Sequence, residues 1–189
     1  MPFTLFHYPV GYWSSKLDKR LVLPGLLMGS VIPDVEVVPL YLFFRGVITD
    51  HFILHSFVGA LTLGLVLAVL VTRYIYPTLI GRIFNLDREE LQDVCGITPH
   101  LVLSCAIGIV FHLLLDFPIH WYNHLLWPWV DPYLLVGPLA IFFATLLSAD
   151  ILVGYSVAGA FVSVIMALVL VQIVYSNKEN RWRKLWIGH

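Results

Sequence analysis

Charge is what this sequence has least of. Only 12% of its 189 residues are Asp, Glu, Lys or Arg, against about 25% in a soluble domain. That deficit excludes an ordinary soluble enzyme, and a net charge of −1 gives no basis for nucleic acid as a partner. Cysteine is nearly absent: Cys95 and Cys105 make neither a disulfide framework nor a metal-type spacing. No repeat or low-complexity segment is visible. The N-terminus lacks a basic region followed by an apolar one, which predicts no cleavable signal peptide and a working role for the first residues.

What is there is apolar: 59% hydrophobic residues and a mean hydropathy of +0.86. The composition predicts an all-α polytopic membrane helix bundle. Four or five membrane helices and a short N-terminal helical hairpin are expected, in one membrane-embedded domain over 1–189. Residues 1–125 would carry the site, 133–175 further membrane helices, and 176–189 a basic tail.

Residues 1–20 are amphipathic. Phe3, Phe6, Tyr8, Tyr12 and Trp13 precede Lys16, Lys19 and Arg20, a mixture that suits a membrane interface. Gly25-Leu-Leu-Met-Gly29 is a small-xxx-small pattern for close helix packing. Pro33-Asp34-Val35-Glu36 then interrupts apolar sequence, because proline kinks or breaks a helix. If 7–18 and 21–33 form a short antiparallel hairpin, His7 and Asp34 meet at its open end.

The first convincing span is 52–72, since about 20 apolar residues cross a bilayer; His51 and His55 stand at its start. Residues 73–96 read as the main hydrophilic loop. The second convincing span, 97–119, carries His112 and Asp116 in its last third. Four residues advance a helix by just over one turn, so these two side chains share a face. If the two spans are consecutive and antiparallel, both clusters fall on one side of the membrane. Residues 120–132 are aromatic and proline-broken, like an interfacial belt over the mouth of a site. Residues 133–149 contain Pro138 and read as a tilted or partial span, and 151–175 as a full one. The basic residues of the 73–96 loop and of the tail each favour a cytoplasmic side. They agree only if an even number of spans separates them.

Ionisable groups inside a membrane segment point to function. The candidates are His7, Asp34, Glu36, His51, His55, His112, Asp116, His120 and His124. Imidazoles and carboxylates together suit zinc, and also manganese or iron. Each has a plainer reading. Asp34 would cap a helix or pair with Arg45, and His112 with Asp116 would be a hydrogen-bonded pair without metal. His124 would be an interface residue, and Pro118 perturbs the helix between Asp116 and His120. His100 and His189 are set aside.

Four of these elements, in order, resemble a known family: Met1-Pro-Phe-Thr-x-x-His7, Gly29-Ser30-x-x-Pro33-Asp34-x-Glu36, His55-Ser56 and His112-x-x-x-Asp116. They are similar to the membrane-bound metal-dependent hydrolases of the YdjM-like, LexA-binding inner-membrane type, whose ligand order resembles that of zinc-dependent phospholipase C. The resemblance covers roughly residues 1–125. It implies a prokaryotic inner-membrane protein with one or two Zn2+ ions held by His7, Asp34, His55, His112 and Asp116. Asp116 would bridge to a second ion held with His7. The sequence departs from the family pattern in having Glu36 where a second Asp is common, and His51-Phe-Ile-Leu-His55 where His-Arg-Gly-x-Thr-His is common. Glu36 or His51 would be the general base or the orienting partner of a ligand. The expected substrate is a lipid phosphoester or ester in the surrounding membrane. The alternatives are a non-catalytic metal-binding transporter or a structural subunit.

Overall fold

The computed structural model describes residues 7–44 and 51–188. Met1, Phe3, Phe6, the polar break from Arg45 to Asp50, and His189 lie outside the described residues. Among those described, the regular structure is helical: α1 (Tyr8–Leu17), α2 (Leu23–Phe43), α3 (Phe57–Phe84), α4 (Arg88–Val94), α5 (Pro99–Asp116), α6 (Pro138–Leu146), α7 (Ile151–Ser176) and α8 (Arg181–Trp186). Helices α2, α3, α5 and α7 are long and apolar enough to cross a membrane. α6 is too short to do so, as the partial span expected there.

Two boundaries differ from the sequence expectation. Pro33 does not end α2. Residues Ile32–Glu36 tighten into a 3-10 turn and the helix resumes at Val37, so the hairpin's second arm is itself a span. A short 3-10 stretch lets the chain pass the proline without stopping. α3 runs to Phe84 rather than stopping near residue 72. Arg73 sits inside it because its guanidinium reaches the Gln92 carbonyl, in the manner of a snorkelling side chain. The helix ends at Asn85, whose φ of 52° places it in the left-handed region that closes helices. Two π-helical stretches, Ala60–Gly64 and Val71–Ile75, punctuate it.

The bundle centres on α2 and α5, which run parallel and touch closely. A Cβ on Gly29 would overlap the Cys105 carbonyl oxygen, and one on Gly108 the Leu26 carbonyl oxygen. This is the close backbone approach that small residues permit. α3 returns antiparallel to this pair, and Ile32, Leu54, Ala60, Ala68, Cys105 and Ile109 make the shared core. At the opposite end, α1, α2, α7 and α8 bury Tyr8, Tyr12, Leu23, Leu27, Ile173 and Leu185.

That opposite end collects the positive charge. Lys16 donates to the Gly188 carbonyl, Tyr8 and Tyr76 donate to the carbonyls of Leu185 and Trp186, and Arg183 pairs with Glu90. The α1–α2 turn, the lower part of α3, α4 and the tail thus gather together. They carry ten of the eleven Lys and Arg residues. The eleventh, Arg45, lies outside the described residues.

Candidate metal centre

The polar cluster forms where α1 begins, α2 tightens, α3 starts and α5 ends. Register sets this up. The glycine contacts lock α2 to α5, and one turn past Gly108 the His112 Nδ1 lies 2.7 Å from the Ser30 carbonyl oxygen. A carbonyl only accepts, so Nδ1 donates and Nε2 presents its lone pair inward. His55 stands just before α3, whose N-cap Ser56 accepts from Gly59 N. Its Nδ1 is 2.8 Å from Glu36 Oε1, which again leaves Nε2 facing inward. Glu36 also accepts from the amides of Phe52 and Leu54 at 2.7 and 2.8 Å. With three donors on it, Glu36 orients His55 and clamps residues 52–55 to α2.

The inward atoms all lie within 4.8 Å of one another. His112 Nε2 is 3.3 Å from His55 Nε2 and 3.5 Å from both Asp34 Oδ1 and Asp116 Oδ2. His55 Nε2 is 3.5 Å from Asp34 Oδ1. Charge-assisted hydrogen bonds run to about 2.7–2.9 Å, so these separations are long for direct pairing. A tetrahedral ion with bonds of about 2.0–2.1 Å sets its ligand atoms about 3.3–3.4 Å apart. Two imidazole lone pairs and two carboxylates turned on one point repel unless positive charge lies among them. The residues therefore fit a metal cation.

His55 and His120 lie outside the spanning helices. Burial opposes a proton on His55, but the carboxylates of Asp34 and Glu36 outweigh it and raise its pKa to about 9. The ring is thus protonated at neutral pH unless a metal cation takes the proton's place. Burial pushes His120 down to about 4, with Asp116 opposing and His51 reinforcing, so His120 is a neutral imidazole.

The structure brings His7, Asp34, His55, His112 and Asp116 together. His7 joins by stacking on His112, with ring centroids 4.4 Å apart, and by lying 3.4 Å from Asp116 Oδ1. His7 and Asp34 thus share the open end of the α1–α2 hairpin, both beside His112. The ligand atoms that fall within 4.8 Å of one another come from Asp34, His55, His112 and Asp116. His7 stands next to this set rather than within it.

A second set was not expected from the sequence as a unit: His51, Asp116 and His120, likewise within 4.8 Å of one another and all buried. Pro118 argued against His120 reaching back to Asp116. The chain instead wraps tightly after α5, and the His120 amide still bonds the Asp116 carbonyl. Asn123 holds this wrap by donating to the carbonyls of Phe117, His120 and Leu135. The spacing His112, Asp116, His120 was the signal available in the sequence. A small cavity of about 20 Å³ opens between the loop and the helices, lined by His51, His55, Asp116, His120, Tyr122 and His124 among others. It has room for about one water molecule.

The fold and site define a helical membrane protein, with four candidate spans among the described residues and a buried His/Asp cluster able to hold a metal ion. The model of the YdjM inner membrane protein family matches residues 5–180, nearly the whole chain, and the protein belongs to that family. No curated protein and no solved structure matches it.

If the Glu36 carboxylate orients His55 as described, Glu36→Gln will weaken metal binding by about 10–100-fold, the usual cost of removing a ligand's outer partner. Competition with a chromophoric chelator measures this. Unchanged affinity would remove Glu36 from the centre.

Proposed function

We propose that the protein is a metal-dependent hydrolase of membrane lipid phosphoesters, using zinc with manganese or iron as possible substitutes. The observation that carries this reading is the convergence of ligand atoms of Asp34, His55, His112 and Asp116 within 4.8 Å of one another, beside a cavity fit for one water. A bound dication lowers the pKa of water toward about 7 and polarises the phosphoryl oxygen. Asp34, His55, His112 and Asp116 fix that charge at one place, and Glu36 holds the His55 ring in orientation. In hydrolysis the water oxygen bonds to phosphorus, the bond from phosphorus to the leaving oxygen breaks, and that oxygen takes up a proton. The proton lost by the water passes to His124, an imidazole of the cavity wall.

A phosphoester is preferred to a carboxylic ester because a metal dication polarises and holds a phosphoryl oxygen. Membrane lipid is preferred as the source because the segments adjoining the site residues in the chain carry exposed apolar side chains: Leu42 and Phe43 on α2, Trp129 and Leu134 on the loop, and Phe142 on α6. Clustering favours hydrolysis over transport. The buried polar side chains deeper between the helices, such as Thr72 and Ser104, bond carbonyls of their own helices rather than forming a path. Purified protein is expected to cleave a lipid phosphoester in mixed micelles, to lose that activity with a chelator, and to regain it with Zn2+. Absence of turnover on a panel of diacyl phosphoesters and monophosphates by fully metallated protein would contradict the reading.

The same reading includes a side. Basic segments close to spans are retained in the cytoplasm, and ten Lys and Arg residues gather at the end opposite the cluster. The centre then opens on the outer face of the inner membrane, toward headgroups of that leaflet. A cysteine placed at exposed Leu134 should react with a membrane-impermeant maleimide on intact spheroplasts, and one at exposed Lys178 only after lysis. The reverse pattern would put the centre on the cytoplasmic face.

A further inference from the structure

Building on the metal-hydrolase reading above, we infer that the protein holds a second ion, bound by His51, Asp116 and His120, and that this one carries the open coordination position. The first set supplies four protein ligands. Four protein ligands close a tetrahedral site, whereas catalytic zinc sites use three and leave the fourth position for water or substrate. The second set supplies three, and all three line the cavity with room for one water. The first set meets that cavity only through His55 and Asp116.

Orientation supports ligation by each member. His120 Nδ1 is 2.9 Å from the Asp116 carbonyl oxygen. Nδ1 therefore donates, and Nε2 is left as a lone pair. His120 is 3% exposed, and its Nε2 has no hydrogen-bond partner. His51 has its Nδ1 3.3 Å from the Tyr122 hydroxyl, an outer partner of the kind that fixes a ligand's tautomer. Its ring lies 4.8 Å from that of His120, centroid to centroid. Asp116 belongs to both sets, and a carboxylate with two oxygens is the usual bridge between paired ions.

Charge points the same way. Asp34, Glu36 and Asp116 place three carboxylates together, each side chain at most 10% exposed. One dication leaves this group net negative, which repels a phosphate ester. Two make it net positive. The second ion thereby supplies positive charge at the site. This differs from a second ion held through His7, the arrangement the family resemblance implies, and it leaves His124 as the cavity's remaining imidazole.

The test is metal stoichiometry on the full-length protein in detergent, by titration with Co2+ and by elemental analysis after Zn2+ loading. Wild type is expected to bind two equivalents. His120→Ala should bind one, and His7→Ala should keep two. His120→Gln serves as a second variant should the alanine form not fold. One equivalent in wild type, or two in folded His120 variants, overturns the second ion while leaving the first. Loss of an equivalent in His7→Ala but not in the His120 variants overturns this ligand set in favour of His7. No bound metal in wild type overturns this inference and the hydrolase reading together.

Discussion

Asp116→Ala will purify with less than about a tenth of the wild-type metal. Its affinity should fall further than the roughly 10–100-fold that follows loss of an outer partner. Asp116 is buried, lies 3.5 Å from His112 Nε2 and 3.4 Å from His7 Nε2, and belongs to both ligand sets. No other residue sits at that junction, so no single substitution elsewhere in the cluster should cost as much. Stability should fall as well, because removing one partner of a buried charged group leaves the others uncompensated, at a cost of about 3–5 kcal/mol. Asp116→Asn keeps the shape with less charge, so elemental analysis beside a thermal melt of both variants separates the two effects. Both variants are expected to lose the metal, and the asparagine form to melt closer to wild type. Metal retained at the wild-type level would remove Asp116 from the centre.

The second large effect lies away from the ligands. Gly108→Leu should destabilise the bundle by about 1–3 kcal/mol or more. The melting temperature should fall by roughly 5–10 °C. The reason is the Leu26 carbonyl oxygen, which already occupies the place of a Cβ on Gly108. A main-chain oxygen cannot rotate aside, so α2 and α5 must separate. Ser30 and His112 are the next polar contact along that seam, so separation also frees the His112 ring and weakens metal binding. Gly108→Ala should show a milder form of both changes. An unaltered melt for the leucine variant would mean that the helices do not pack as described.

Much of this was legible in the sequence because local periodicity carries it. His112 and Asp116 share a face by helix geometry alone, and two antiparallel spans bring His55 to the same end. The Gly25-x-x-x-Gly29 pattern marked the seam that α5 occupies. Long-range and cap-level chemistry was harder to read. Pro33 looked like a break, yet a 3-10 turn carries the chain past it and aims Asp34 at His112. Arg73 looked like the start of a loop, although its side chain reaches the Gln92 carbonyl from within α3. His120 was obscured by Pro118, because only tertiary contacts such as those of Asn123 show that the chain wraps back. Glu36 could be placed near the site, but its role depends on three donors that folding alone supplies. The gathering of basic residues at one end also required the fold, since it depends on which segments count as spans.

The most direct measurement is anomalous X-ray diffraction at the zinc edge on crystals of the metal-loaded protein. The account predicts a peak about 2.0–2.1 Å from His55 Nε2, His112 Nε2 and carboxylate oxygens of Asp34 and Asp116. No anomalous peak among those four side chains, in crystals whose protein carries zinc by elemental analysis, would contradict it.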